Sequence, residues 1–254
     1  MKTKMDYEDI RKSPFITWLA EVYKRSERKE KVIGIELGVF KAAHAEYIME
    51  SIDIEKLYLI DPYEAGYEGE IADDIPEARD FAAKRMSKYG ERIQWMYNDG
   101  NEALKKLAVK GVKADFIYID GKHDYTSSLS NINHAVALVK DKGFVAGHDY
   151  LIRSNPPIEV KKAVDDFLKD KPYKFFTAGS PIPDWWFRIS RNLWMREKTR
   201  IMLGILAEKD MSYLLQRAMI NNGNDGQGVM LDLMFYLDNW FNHDNEEKTI
   251  EGKC

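Results

Sequence analysis

Two short segments combine carboxylates with imidazoles at a spacing that suits a metal site or an acid–base site. They are Asp120-Gly121-Lys122-His123 and His148-Asp149. Each follows a run of apolar residues, so both carboxylates are expected where a buried strand ends. These oxygen and nitrogen donors are sufficient to hold a divalent cation. His123, three positions after Asp120, is suited to act as a general base near neutral pH.

The same residues also have a structural explanation, because aspartates cap helices and Asp-Gly pairs form turns. That explanation accounts well for any one of them. It is weaker for two carboxylates and two imidazoles that follow separate strands. We therefore treat the four as one candidate site.

A second group of residues has the types that bind a nucleotide. Glu36-Leu37-Gly38 closes another apolar run, and a glycine there lets the backbone approach a ligand beside a helix N-terminus. Glu36 is unusual in such a strand, because a buried carboxylate costs free energy unless it is paired. Asp61 directly follows the second apolar run, at the position where a Rossmann-type site has the acid that binds ribose hydroxyls. Asp99 could add a contact to the ribose or the adenine. Together they favour an adenosine-containing ligand, although each also fits an ordinary turn.

The apolar runs that carry these residues alternate with helical patterns. The runs are 32–37, 57–60, 92–97, 115–119 and 143–147, and the helical stretches between them are 42–51, 77–89, 101–109 and 126–140. This alternation predicts a parallel sheet with helices on both faces. Ligands of such sheets bind beyond the carboxyl ends of the strands, where all of the candidate residues fall.

Further elements are predicted at both ends of this region. An amphipathic helix over 14–25 follows Ser13-Pro14, and a helix over 157–169 precedes strands at 173–177 and 185–189. The two last strands are joined too closely for a parallel crossover, so they predict an antiparallel hairpin. The predicted fold is α/β: a doubly wound, mostly parallel, Rossmann-like sheet with a C-terminal antiparallel hairpin.

Three aromatic residues of this region are candidates for the wall of a pocket that binds an acceptor substrate, although a core position is favoured for them. They are Tyr150, Trp185 and Trp186.

The sequence changes character after residue 190. We predict one domain over 1–190 and a helical extension over 191–254. The extension contains an apolar stripe that either packs on its own domain or joins copies of the chain into a homo-oligomer. The stripe consists of Met230, Leu233, Met234, Leu237, Trp240 and Phe241.

Composition excludes several classes of protein. The 254 residues carry a formal net charge of -4, so the chain lacks the basic character typical of nucleic-acid binders, and no nucleic-acid partner is expected. The sequence contains no run of eighteen apolar residues, so no membrane-spanning helix is predicted. The charged start is not followed by the apolar stretch of a secretory signal, so no such signal is expected. The single cysteine, Cys254, excludes an intrachain disulfide and a multi-cysteine zinc site. We expect a cytoplasmic protein without a membrane partner.

With these motifs in place, the sequence resembles the class I S-adenosylmethionine-dependent methyltransferases. Glu36-Leu37-Gly38-Val39-Phe40 resembles the first motif of that family and Leu59-Ile60-Asp61-Pro62-Tyr63 the second, and the closing hairpin matches its seven-stranded fold. The stretch from Phe116 to Tyr125, with Gly147-His148-Asp149-Tyr150, is similar to the metal-dependent O-methyltransferases, including those that act on sugars of macrolides and glycans. The resemblance covers residues 30 to 190 and leaves the extension unexplained.

The resemblance implies a role for each candidate residue. The cofactor, S-adenosyl-L-methionine, would be bound by Glu36, Gly38, Asp61, Asp99 and Asp120. A divalent cation, magnesium by family precedent, would be held by Asp120, His148 and Asp149, and His123 would be the base. Two positions depart from the family pattern. Ala42 replaces the second glycine of the first motif, and His148 stands where an acid is usual, which suits a softer metal or none.

The implied reaction is transfer of a methyl group to a hydroxyl of a small molecule or sugar. A metal-independent methyltransferase with a histidine base is one alternative. A dinucleotide-dependent oxidoreductase is another, although the sequence lacks G-x-G-x-x-G. A nucleotide-binding protein without catalytic activity is the third.

Overall fold

The protein is described here from a computed structural model. The structure describes residues 12–26, 30–64, 75–151, 153–154, 157–169, 171–179 and 181–190. The predicted helical extension over 191–254, with its apolar stripe, lies outside the described residues. Among the helices that are described, none has the length and apolar character needed to cross a membrane.

Helices and strands alternate along most of the described chain. The helices are α1 Pro14–Arg25, α2 Ala43–Ser51, α3 Ile75–Met86, α4 Gly100–Val109, α5 Tyr125–Leu138 and α6 Val160–Leu168, with a 3-10 helix at Ser87–Arg92. The strands are β1 Val32–Leu37, β2 Ile54–Ile60, β3 Ile93–Met96, β4 Ala114–Ile119, β5 Val139–Gly147, β6 Arg153–Ser154, β7 Pro157–Ile158, β8 Phe175–Ala178 and β9 Asp184–Arg188.

Seven of the strands form one sheet in the order β3-β2-β1-β4-β5-β9-β8. The first five are mutually parallel, whereas β9 pairs antiparallel with both β5 and β8. The predicted fold is therefore confirmed, including the antiparallel hairpin. The strand order reverses between β1 and β4, which is where open α/β sheets bind their ligands.

The sheet separates two apolar layers because successive strand residues face opposite sides. One layer is formed by the side of the sheet that α1 and α2 cover, and it includes Phe15, Ile48 and Trp186. The other lies under α4, α5 and α6 and includes Leu104 and Trp185. Both tryptophans are buried. The structure thus confirms their interpretation as core residues instead of walls of an acceptor pocket.

Two strands are longer than the sequence pattern indicates. β2 begins at Ile54 instead of 57, and β5 begins at Val139 instead of 143. In both cases the strand begins with one apolar residue, and the polar residues that follow it conceal the apolar pattern. The predicted helix over 126–140 is therefore too long: α5 ends at Leu138, and Lys140 belongs to β5, where its Nζ lies 3.0 Å from the Asp115 carboxylate of the neighbouring β4.

The predicted helix over 14–25 is confirmed and is fixed to the sheet by one buried carboxylate. Asp184 accepts hydrogen bonds from Ser13 Oγ at 2.5 Å and from the Phe15 N–H at 3.0 Å. It also accepts from the Tyr118 hydroxyl at 2.7 Å. An acid at the N-terminus of α1 is favoured by the helix dipole, and the three donors compensate for its burial.

Candidate active site

The loop after β1 brings the carboxyl ends of β1 and β4 into close contact. Gly38 has φ of +80°, and a Cβ atom there would lie 1.8 Å from the backbone oxygen of Asp120. The Asp120 N–H donates to the Leu37 carbonyl at 2.8 Å, which holds the two strand ends at this separation. Only glycine fits this position, because any other residue brings both a clash and an unfavourable φ.

The departure at Ala42 has a visible conformational consequence. Ala42 is the N-cap of α2, has φ of 58° and is buried. A left-handed conformation costs an L-residue about 1–2 kcal/mol, whereas glycine adopts it freely. The chain therefore keeps the backbone conformation that suits glycine at this position. Because an alanine side chain cannot cap, the N-terminus of α2 has no side-chain cap.

Asp61 fixes the loop from the end of β2. Its Oδ2 accepts from the N–H groups of Val39 and Phe40 at 2.8 and 3.0 Å. Its Oδ1 accepts from the Tyr63 N–H at 2.8 Å, and the Tyr63 hydroxyl donates to the Phe40 carbonyl at 2.8 Å. The carboxylate thus lies where the cofactor prediction requires it, although here its partners are backbone amides. Ribose binding stays a prediction.

Glu36 pairs with a histidine that the sequence analysis did not single out. Glu36 is 1% exposed, and its Oε1 lies 2.9 Å from Nδ1 of His44, in the first turn of α2. Burial raises the pKa of Glu36 despite the opposing effect of His44. Burial lowers the pKa of His44, but the Glu36 carboxylate outweighs it and the net shift is upward. In the sequence, the one signal for His44 was its position as a polar residue in the helix that directly follows the glycine loop.

Asp99 lies at the start of α4, beyond the carboxyl end of β3. Its Oδ1 accepts from the Asn101 N–H at 3.0 Å, so it caps the helix. Its Oδ2 lies 3.5 Å from Nζ of Lys122, which belongs to the loop after β4. A structural role for Asp99 is therefore visible, and its contact with a ribose or adenine stays a prediction.

The residues that follow β4 and β5 form the predicted cluster. His123 Nε2 lies 2.8 Å from Asp149 Oδ2 and 3.7 Å from Asp120 Oδ1. His148 Nδ1 lies 3.5 Å from the same Asp149 oxygen and 3.9 Å from Asp120 Oδ1. Two carboxylates and two imidazoles thus meet at one edge of the sheet. We call this group the carboxylate–histidine cluster.

Charges within the cluster change the acidity of its members. Burial opposes ionisation of Asp149, but hydrogen bonds from His123 and His148 outweigh it and hold the pKa of Asp149 well below its usual range. Burial likewise lowers the pKa of His148, whereas the hydrogen bond to Asp149 and the nearby Asp120 raise it to about 9. In the metal-free protein His148 is therefore a cation at neutral pH, and it must lose its proton before it can bind a metal.

Backbone contacts keep the cluster in place. The His148 N–H donates to the Ile119 carbonyl, and the Trp185 indole N–H donates to the His148 carbonyl at 2.9 Å. The His123 carbonyl accepts from the Glu159 N–H immediately before α6. Asp149 itself has φ of 57°, a left-handed conformation that aspartate tolerates better than most residues.

Three of the four residues can converge on one metal ion. One ligand atom from each of Asp120, His123 and Asp149 lies within 4.8 Å of the others. This set shares both carboxylates with the set that the resemblance implies, but it contains His123 in place of His148. The donors are two oxygens and one nitrogen, which fits a divalent cation of intermediate hardness. The observed distances therefore give His123 a second candidate role beside that of a base.

Comparison with known proteins supports the same family as the motifs. Residues 31–150 match the family model described as a methyltransferase domain. An uncharacterized protein of Acanthamoeba polyphaga mimivirus is 25% identical over 161 residues, which are 59% of this chain and 68% of that protein. The family match over residues 31–150 contains the glycine loop, the residues at the ends of β2 and β3, and the whole carboxylate–histidine cluster.

Solved structures share the fold at low sequence identity. An O-methyltransferase from Bacillus cereus in complex with S-adenosylhomocysteine has a TM-score of 0.51 and 13% identity, over 70% of this chain and 82% of that one. The O-methyltransferase NovP has a TM-score of 0.51 and 16% identity, over 70% and 78%. The N-methyltransferase NodS from Bradyrhizobium japonicum has a TM-score of 0.50 and 15% identity, over 74% and 99%. Residues 31–150 thus match a methyltransferase domain, and the seven-stranded order with its hairpin is the fold of these methyltransferase structures, so both findings support a class I methyltransferase.

Proposed function

We propose that the protein is an S-adenosylmethionine-dependent O-methyltransferase that acts on a hydroxyl of a small molecule or sugar. The observation that carries this proposal is the carboxylate–histidine cluster at the carboxyl ends of β4 and β5. A hydroxyl must lose a proton when it is methylated, and the cluster offers both a proton acceptor and anionic ligands for a cation. It lies beside the glycine loop, through the contact of Gly38 with Asp120.

The acidity of the sheet edge supports S-adenosylmethionine as the cofactor. Glu36 lies close enough to Asp61 and Asp120 for both carboxylates to raise its pKa. Three acids at the ends of β1, β2 and β4 favour a positively charged ligand. The cofactor carries a sulfonium and an ammonium, and the B. cereus relative was crystallised with the product of the same cofactor.

Asp120 and Asp149 are the residues that we propose as carboxylate ligands of a divalent cation. A histidine completes the set, either His123, as the converging atoms favour, or His148, as the family pattern implies. When bound, such a cation would lower the pKa of an acceptor hydroxyl and orient it. Magnesium suits the two carboxylates, and the imidazole extends the choice to softer metals.

His123 is the residue that we propose as the base. Its Nε2 lies 2.8 Å from the Asp149 carboxylate, and we assign the proton of the neutral ring to Nε2, which leaves Nδ1 as the basic nitrogen. When bound, the cofactor would supply the methyl group, which would pass to the acceptor oxygen while the electron pair of the carbon–sulfur bond stayed with sulfur. The hydroxyl proton passes to Nδ1, and Asp149 stabilises the resulting imidazolium.

A metal-independent reaction is a second candidate, favoured by the 2.8 Å contact between His123 and Asp149. The two uses of His123 exclude each other at Nε2, because that atom either carries a proton toward Asp149 or binds a cation. In the metal-independent form Asp120 and His148 would position the acceptor. The presence or absence of metal dependence therefore distinguishes the two candidates.

The test is calorimetric titration of S-adenosylmethionine into chelator-treated protein, with and without Mg²⁺, followed by methyl transfer to a panel of sugars and phenols. We expect saturable cofactor binding, and transfer that Mg²⁺ stimulates in the wild type but not in Asp120→Ala. Asp80→Ala, at an exposed position of α3, is the matched control. Full transfer in chelator would favour the metal-independent candidate. Failure to bind the cofactor in every condition would overturn both.

A further inference from the structure

Two buried atoms of the pair formed by Glu36 and His44 have no partner among the described residues. Glu36 Oε2 and His44 Nε2 are fully covered, yet neither makes a hydrogen bond there. A buried polar atom without a partner costs about 1–3 kcal/mol. Such atoms need a partner, and a ligand at the neighbouring glycine loop is one group that could supply it.

The histidine of this pair packs against an anchored aromatic residue. The ring of His44 lies 4.1 Å from the ring of Tyr118, measured between centroids. Tyr118 is itself fixed by its hydrogen bond to Asp184. His44 can therefore hold Glu36 in one orientation, because its own ring is packed against an anchored neighbour.

We propose that His44 is a positioning residue of the cofactor site, which donates from Nδ1 to Glu36 Oε1 and leaves Oε2 as the acceptor for the ammonium of the cofactor. This inference rests on the proposed function. A buried carboxylate binds a charged donor more strongly than a neutral one. The ammonium is a charged donor, whereas the adenine and ribose offer neutral ones.

The ligand of the test is S-adenosylhomocysteine, which keeps the ammonium and lacks the transferable methyl group. A matched ligand is 5′-methylthioadenosine, which lacks the amino-acid end altogether. We expect His44→Ala to weaken S-adenosylhomocysteine binding at least tenfold and to change 5′-methylthioadenosine binding less than twofold. The unequal loss separates positioning of Glu36 from general damage to the site.

A conservative variant and a double variant complete the test. His44→Asn places an amide nitrogen near the position of Nδ1, so we expect it to restore most of the affinity. In Glu36→Gln, adding His44→Ala should cause little further loss, because His44 acts through Glu36. His134→Ala, on α5 and away from the pair, is the control, and thermal unfolding verifies that each variant folds.

Three results would overturn the inference: wild-type affinity in His44→Ala, equal loss for both ligands, or additive losses in the double variant. If the wild type itself fails to bind S-adenosylhomocysteine, the proposed function fails instead. The two failures are therefore distinguishable in the same experiment.

Discussion

Gly38 and Asp120 are in backbone contact, with 1.8 Å between the Asp120 oxygen and the place where a Cβ of residue 38 would stand. We expect Gly38→Ala to lower the free energy of unfolding by about 3 kcal/mol or more, because strand separation adds to the strain of positive φ. Gly111→Ala is the control, since Gly111 also has positive φ but nothing within 4 Å of its Cβ position. In Gly111→Ala the free energy of unfolding should fall by only about 1 kcal/mol. Urea unfolding measures both, and equal losses would contradict the contact.

Stability of the metal-free protein should fall as the pH rises from 6.5 toward 9. The folded-state pKa of His148 is raised to about 9, so its contribution is complete below the unfolded value and disappears as pH passes through the folded value. This contribution is about 3 kcal/mol at most. The raised pKa of His44 acts in the same direction, whereas the lowered pKa of Asp149 changes stability only in acid.

The measurement is urea unfolding in chelator at several pH values between 6 and 9.5. His148→Gln should flatten this part of the profile, and the same substitution at His134 controls for the loss of any histidine. An unchanged slope in His148→Gln would show that Asp120 and Asp149 do not stabilise a charged His148.

Asp184→Ala should be among the most destabilising substitutions outside the candidate site. It removes the acceptor of three buried donors, namely the Ser13 hydroxyl, the Phe15 N–H and the Tyr118 hydroxyl. We expect a loss of about 3–5 kcal/mol. Asp166→Ala removes an exposed contact with Tyr125 and should change stability by less than about 0.5 kcal/mol. Comparable unfolding midpoints for the two variants would refute the anchoring role of Asp184.

Asp61 is expected to contribute to both stability and ligand affinity. Asp61→Ala leaves the N–H groups of Val39, Phe40 and Tyr63 without their acceptor and should cost about 2–4 kcal/mol. Asp61→Asn keeps one acceptor oxygen and should cost less. The exposed Asp53, which precedes the same strand, is the control. Calorimetry with S-adenosylhomocysteine should show weaker binding for both Asp61 variants. Unchanged affinity would remove Asp61 from the cofactor site.

Local patterns in the sequence predict most of the fold. Each strand of the parallel part contains a short apolar run, and the helix over 14–25 is set by Ser13 and the spacing of its apolar residues. The starts of β2 at Ile54 and of β5 at Val139 were not predicted, because polar residues early in each strand interrupt the apolar pattern. Those residues belong to the sheet because they pair with a neighbouring strand. Pairing between strands is a tertiary property that a local pattern does not contain.

The sequence predicted where the candidate site lies but not which side chains contact each other within it. Strand ends brought Asp120, His123, His148 and Asp149 to one edge, as the topology requires. The pairing of Glu36 with His44 depends on the path of the loop between them, including the left-handed Ala42. Which histidine approaches both carboxylates likewise depends on side-chain packing, so His123 could not be distinguished from His148 by position alone.

The attachment of α1 through Asp184 has a consequence for the order in which the chain acquires its structure. Ser13 and Asp184 are separated by 171 positions, so α1 reaches its anchor only when β9 has been made. Contacts of such separation form late, because loop closure is costly before they are made. On the ribosome, α1 must therefore wait for nearly the whole described unit to emerge. Pulse-labelling hydrogen exchange during refolding should accordingly find the amides of α1 protected after those of β1 and β4.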